Sequence, residues 1–443
     1  MEKLMKTLGS ALILIILIQE YSEAEGIPIF TVEQLQKIGR DPDYPINGSY
    51  YLANDIDATE TKFWNNGEGF RPIGRRDKQL FEGITGWVRK QFQFYCQEFE
   101  GTFDGKGHKI LGLHIVPKKE EAEFIGLFAL IGEKGCVRNL IIENVYIEDN
   151  DPLGLSLLGT VAGENKGIIE NVHTSGNLYG LSYIGGIVGG NYNDIKGCSS
   201  SCNIKGEWTI GGISGKNTSS ISHCSFSGTI TPNPIISRAY EGIYMGGIIG
   251  SNYLEVGKIS YCYSTGSIEG REYIGGLVGE NLGEVFSCYA TGSVKGVEFV
   301  GGFVGKNLGK INNCYSKGNV QGDNSVGGFV GQNVFDDRYQ EWIGTIPYGT
   351  IINCYSTGKV EGKKDFGGFA GLNKPSCTIL SCFWDKETST LDLSAGGVGK
   401  TTIEMMQQKT YEDEVWCFKS IWKIDENKSY PHFIWEKENS KKQ

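Results

Sequence analysis

Apolar positions in this chain fall in short aliphatic runs broken by glycine, and the runs recur. A Gly-x-Asn triplet appears eight times, ending at Asn165, Asn191, Asn217, Asn252, Asn281, Asn307, Asn333 and Asn373, and seven of the eight follow an aliphatic-glycine run. The separations are 26, 26, 35, 29, 26, 26 and 40 residues, so the period is 26 and the longer steps are insertions. Between two uninterrupted repeats, Ile274-Gly275-Gly276-Leu277-Val278-Gly279-x-Asn281 matches Val300-Gly301-Gly302-Phe303-Val304-Gly305-x-Asn307. Val285, Cys288, Tyr289 and Val294 then match Ile311, Cys314, Tyr315 and Val320.

β-Branched runs punctuated by glycine read as strands joined by tight turns, with no helical period between them. A unit of this length cannot bury its apolar face alone and must stack on its neighbours. The fold class is therefore all-β: a β-solenoid (β-helix) of about eight 26-residue coils with N-terminal and C-terminal capping modules. At about 4.8 Å per coil the stack is a rod roughly 40 Å long. The Asn column reads as structural, since its amides satisfy turn backbone and can ladder between coils. Cys198, Cys224, Cys262, Cys288, Cys314, Cys354 and Cys382 fill one slot per coil, which Val172 fills in the first. A slot that accepts Val or Cys is a small buried apolar position, though stacked neighbours also lie within bridging distance. No cysteine spacing suits structural zinc, and no metal or cofactor is expected.

The chain divides into a signal peptide (1–24), an N-terminal capping module (25–120), the repeat solenoid (121–385) and a C-terminal capping segment (386–443). Lys3 and Lys6 precede an apolar run from Ala11 to Ile18, and the small residues Ser22 and Ala24 suit cleavage. The remainder holds no apolar segment long enough to span a bilayer, so no stable membrane span follows cleavage and the protein is expected to be secreted or at the cell surface. In the N-terminal module, Phe30 to Ile38 reads as a short helix with Thr31 as N-cap. Gly at 64 residues with 12% aromatics indicates turns in a folded β protein. A net charge of −10 without a basic block excludes a nucleic-acid partner.

Three constellations carry candidate chemistry. Ala395-Gly396-Gly397-Val398-Gly399-Lys400-Thr401-Thr402 mimics a phosphate-binding loop, but Ser394 stands where the first glycine belongs and no α/β unit surrounds it, so nucleotide binding is not expected. Asp55, Asp57 and Asp104, with His108 near, are the acids a glycosidase or lyase would need, yet they read better as turn and capping groups. The third is the aromatic column one residue after the cysteine slot: Tyr263, Tyr289, Tyr315, Tyr355 and Phe383, preceded in earlier coils by His173, Ser199 and Ser225. If the cysteines point inward, strand alternation sends this column outward, as a ring ladder that steadies the sheet or as a strip for sugar rings or a protein partner. Two insertions, Thr231 to Met245 and Val334 to Gly349, supply loops where binding chemistry is often placed.

These residues resemble the GLUG-motif repeat proteins of bacteria and archaea, an exported, adhesin-like family. Gly276-Leu277-Val278-Gly279 carries the motif and Gly302-Phe303-Val304-Gly305 is a variant. Tyr51 to Asp57, Pro72-Ile73-Gly74 and Phe99 to His108 are similar to the module that precedes such repeats, and Trp384-Asp385 through Gly397 to the closing segment. The resemblance implies a secreted or cell-surface binding or structural protein, adhesin-like, recognising a glycan or cell-surface polymer or protein. It carries no catalytic residues. The alternative is an extracellular carbohydrate-active enzyme, a polysaccharide lyase or glycoside hydrolase, with its site in a side groove.

Overall fold

The computed structural model describes residues 26–74, 97–118, 123–150, 154, 156–233, 242–253, 256–335, 349–412 and 416–436, together with the backbone of 77–79 and 93–95. The signal-peptide residues 1–24 lie outside these. So does most of each insertion, including Arg238, Tyr240 and Glu241 of the first and Asp336 to Trp342 of the second.

The chain winds as a β-solenoid whose strands are parallel to their counterparts one coil away. One coil runs through Glu272–Gly275, Val278–Asn281, Glu284–Phe286, Tyr289–Ala290 and Val294–Lys295. The first two strands each build a nine-stranded sheet, and the last three join a 29-stranded sheet that wraps the third side. Register between uninterrupted coils follows the sequence period: Ile274 pairs with Val300, Asn281 with Asn307, Val285 with Ile311 and Tyr289 with Tyr315. The Gly-x-Asn sheet has one strand more than the triplets, because Phe128–Ile131 precedes Ala162–Asn165 in it. The N-terminal residues extend the same stack. Ile27–Ile29 lies on Ser49–Leu52, which lies on Thr102–Asp104, which lies on Cys136–Glu148. The expected helix forms over Val32–Lys37, and the Thr31 side chain accepts from the Gln34 N–H.

Each coil turns at two corners in the left-handed region. Ser287, Asn313, Asn353 and Ser381, each just before a column cysteine, have φ of 52° to 54°. Tyr244, Tyr273, Phe299, Ser325 and Asp365, each just before an inward residue, have φ of 49° to 57°. A non-glycine residue costs about 1–2 kcal/mol there, so the stacked coil imposes these corners against local preference. At the third corner contact is tighter still. A Cβ on Gly275 would lie 1.9 Å from the Val278 carbonyl oxygen, which only glycine allows.

The core is one elongated cluster running the length of the stack. Ile274, Leu277, Val278, Val285, Cys288 and Val294 supply one coil's share, none more than 2% exposed. Phe303, Phe329 and Phe369 stack inside it with centroids 4.7 and 4.9 Å apart. Beside this apolar interior runs the asparagine ladder. Each Nδ2 donates to the next Oδ1, from Asn165 through Asn373, at 2.8–2.9 Å. The second N–H of Asn281 and of Asn307 donates to the turn carbonyls of Gly283 and Gly309. Asn307→Ala leaves the Asn281 donor and the Asn333 acceptor unmatched inside the protein. Denaturant titration is expected to show a loss on the order of 2–4 kcal/mol, and a change within error would mean the ladder is not structural.

Candidate functional site

The predicted aromatic column forms. Tyr263, Tyr289, Tyr315 and Tyr355 stand outward with successive centroids 5.0, 4.9 and 5.0 Å apart and ring planes within 11°. The column cysteines point inward, as alternation requires. The expectation of an open strip needs correcting along most of its length, because Tyr315, Tyr355 and Phe383 are buried. Their cover is the C-terminal segment. After Val398–Lys400 stacks on Phe383–Asp385, the chain doubles back along the side of the solenoid instead of staying at its end. Trp416, Trp422, Phe433 and Tyr411 form a second apolar cluster with the buried rings of the column. Polar contacts fix the overlay. Tyr315 Oη donates to Glu436 Oε1 at 3.0 Å, Tyr355 Oη donates to the Pro431 carbonyl, Trp416 Nε1 donates to the Ser381 carbonyl at 3.0 Å, and Trp422 Nε1 donates to Asn313 Oδ1 at 3.2 Å. Burial pushes the Tyr315 and Tyr355 hydroxyls well up, so both act as neutral donors. Of the five predicted residues, only Tyr263 and Tyr289 are part-exposed, and Trp435 lies 5.7 Å from the Tyr289 ring. The column is aromatic in the coils the segment crosses. Its earlier positions, His173, Ser199 and Ser225, lie outside that overlay.

A second outward ladder was not anticipated from the sequence. Tyr244, Tyr273 and Phe299 stack at the left-handed corner with centroids 4.8 Å apart and planes within 10°. All three are part-exposed, and Lys306 Nζ lies 5.4 Å from the Tyr273 ring. Their signal was the residue before each inward Met245, Ile274 or Val300, which reads as an ordinary strand residue until the corner's backbone is known.

The candidate acids are structural in their contacts. Asp55 Oδ1 accepts from the Lys109 N–H at 3.2 Å and meets His108 Nδ1 at 3.1 Å. Asp57 Oδ1 accepts from both the N–H and the hydroxyl of Thr59. Asp104 accepts from the Lys106 N–H, from Asn139 Nδ2 and from Arg138 Nε. The phosphate-loop mimic becomes the strand Val398–Lys400, followed by a four-residue helix that Thr401 caps through a reciprocal bond pair with Glu404. An ionisable group the sequence did not single out lies on the Gly-x-Asn face, where Lys166 Nζ sits 3.0 Å from Glu98 and 3.5 Å from Glu164. Burial raises the Glu164 carboxyl against the pull of that lysine.

The column cysteines are free thiols. Cys288 and Cys314 donate to carbonyls two residues earlier at 3.2 Å, and burial pushes the thiols of Cys198, Cys224, Cys262, Cys288 and Cys354 well up. These five pack as neutral apolar groups. Burial also raises the Cys314 thiol, but its contacts with Cys288 and Cys354 outweigh that and bring it down to about 6. Among the described residues no His, Cys, Asp and Glu cluster could hold a metal ion, and no helix is long and apolar enough to cross a membrane.

Two outcomes test this account. Trp422→Ala removes the centre of the overlay, at a cost of about 3–5 kcal/mol to local packing. Hydrogen exchange should then accelerate over 416–436 while the coils keep their protection; unchanged exchange would show that the segment is not held by its rings. At Asp104, burial opposes ionisation but the Lys106, Asn139 and Arg138 donors outweigh it and hold the carboxyl below its usual 3.8. Its stabilisation is therefore present above that value and is lost as pH falls through the lower folded one. Asp104→Asn should lower the unfolding midpoint at pH 6, with the difference from wild type closing in acid. A difference that persists at pH 2 would refute an electrostatic role.

Comparison with known proteins places the repeats. The family described as the GLUG motif matches residues 206–231, 270–295, 300–321 and 322–361. Halomucin from Haloquadratum walsbyi is 30% identical over 128 residues, which cover 29% of this chain and 1% of halomucin. A protein of Evansella cellulosilytica, provisionally named a Gly-rich membrane protein, is 33% identical over 124 residues, 28% of this chain and 12% of its own. The chain thus spans a small fraction of either relative. Among solved structures, a protein provisionally assigned as an immunoglobulin A1 protease from Bacteroides ovatus aligns over 94% of both chains at 16% identity and TM-score 0.39. An IgA1 protease aligns over 86% of this chain and 24% of its own at 17% identity and TM-score 0.37.

Proposed function

Because the chain is a GLUG-motif repeat protein wound as a β-solenoid, we propose that it is a secreted or cell-surface binding rod with adhesin-like recognition of a glycan or cell-envelope polymer. The observation that carries this reading is the repetition of part-exposed rings at coil spacing on a rigid scaffold. Tyr244, Tyr273 and Phe299 form one such strip, and Tyr263 with Tyr289 forms the part-exposed end of another, beside Trp435. Rings about one coil apart present several parallel apolar faces to an extended polymer, and each stacked contact adds about 0.5–1.5 kcal/mol. The engagement of Asp55, Asp57 and Asp104 by neighbouring backbone and side chains supports binding over catalysis. Similarity to halomucin and to a Gly-rich membrane protein supports a cell-surface setting.

One observation favours the enzyme reading. Glu98 and Glu164 share Lys166, and Glu164 has a raised carboxyl, which is the kind of pair that acid–base work on a sugar requires. A polysaccharide panel separates the two. The binding rod retains a polymer without releasing products, and Tyr273→Ala with Phe299→Ala weakens retention about tenfold, as two lost stacks predict. New reducing ends or unsaturated sugars would replace the binding reading with the enzymatic one. Absence of any retention would leave a purely structural rod.

A further inference from the structure

Away from both ladders, the surface of the N-terminal module carries an open, shallow cavity of about 350 Å³ lined by Gln36, Arg40, Trp64, Asn65 and Arg71. Its lining includes two arginines and no acidic residue, in a chain whose net charge is −10. Local charge of the opposite sign to the whole marks a place where an anion is favoured. The volume lies at the low end of small-ligand sites and suits a single sugar ring rather than a large cofactor.

The lining is built to hold one side chain in place and leave it available. Gln36 clamps the Arg71 backbone at two points: its Oε1 accepts from the Arg71 N–H at 2.8 Å and its Nε2 donates to the Arg71 carbonyl at 2.9 Å. Arg40 reinforces the same stretch, donating to the carbonyls of Arg71 and Pro72 at 3.4 and 2.8 Å. The Arg71 guanidinium itself has no hydrogen bond or ion pair among the described residues, and the residue is exposed. Trp64 also lines the cavity, part-buried against the core cluster. The chain leaves it through two successive left-handed residues, Asn65 and Asn66, with φ of 52° and 59°. Asn65 Nδ2 donates to the Gly69 carbonyl at 2.7 Å, which leaves its Oδ1 as an acceptor at the cavity.

We propose that this cavity binds a carboxylated sugar residue, such as the uronate unit of an acidic polysaccharide. The sugar's C–H face would lie on the Trp64 ring, its carboxylate on the Arg71 fork, and a hydroxyl on Asn65 Oδ1. A planar guanidinium meets a carboxylate through two parallel hydrogen bonds, a geometry that lysine cannot reproduce. The inference rests on the reading of the protein as a glycan binder, and assigns it a charge preference that the ring ladders do not supply.

Calorimetric titration of the full chain with trigalacturonate, and in parallel with neutral galactotriose, tests it. Trigalacturonate should bind at least tenfold more tightly, more weakly as salt rises, and with a change in tryptophan emission. Arg71→Gln and Arg71→Lys should each lose that tenfold preference with unchanged thermal unfolding, since the side chain is exposed. Equal binding of the two trisaccharides, or trigalacturonate binding untouched by Arg71→Gln, would overturn the assignment. Displacement of trigalacturonate by an equal concentration of inorganic phosphate would also overturn it, in favour of a simple phosphate site. The two proposals fail separately. Polymer retention that depends on Tyr273 and ignores Arg71 removes the cavity from the mechanism and leaves the rod a binder. Trigalacturonate binding without retention of any polymer keeps the cavity and removes the extended surface.

Discussion

Parallel register between coils is the constraint on which everything else in this protein depends. Within each coil the strands are only two to four residues long over most of the repeat, and none makes its ladder bonds inside its own coil. Every coil therefore needs its neighbours to satisfy its backbone, and a shift of one residue would turn Ile274 or Val285 out of the core. The asparagine column enforces the same register from inside. An amide has one acceptor and two donors, and here they serve the coil above, the coil below and the local turn together. Chain that exceeds the period falls between strands: the 35-residue step departs after Thr229–Pro232 and the 40-residue step after Val330–Asn333.

The same constraint explains what could be read in advance. Positions that face the interior repeat because every coil meets the same interior, so the Gly-x-Asn triplets, the cysteine slot and the outward direction of Tyr289 were legible from spacing. The left-handed corners were not, since Tyr273 and Phe299 are poor advertisements for a conformation that favours Gly or Asn. Nor was the cover over Tyr315 and Tyr355. It comes from a segment with no repeat, and its hydrogen bonds cross as many as 121 residues. The cap cavity escaped for a related reason, being assembled from side chains 35 residues apart in a module that carries no period.

Surfaces of such a rod acquire character only where successive coils agree on an outward residue. Tyr263 to Phe383 agree, and the agreement serves internal packing at one end and exposure at the other. Tyr244, Tyr273 and Phe299 agree over three coils, then yield to Ser325 and Asp365. The outside is therefore zoned along the axis while the interior stays uniform.

Stacked-coil proteins usually fray, because each unit touches only the next. The returning C-terminal segment breaks that nearest-neighbour rule. Its rings reach from Phe383 to Tyr263, so five successive coils share one strap. Those coils should melt as one cooperative block, while the unstrapped coils around Asn165 and Asn191 open independently. The molecule thus has a stiff half and a yielding half, and tension applied along its axis would be absorbed first where no strap crosses.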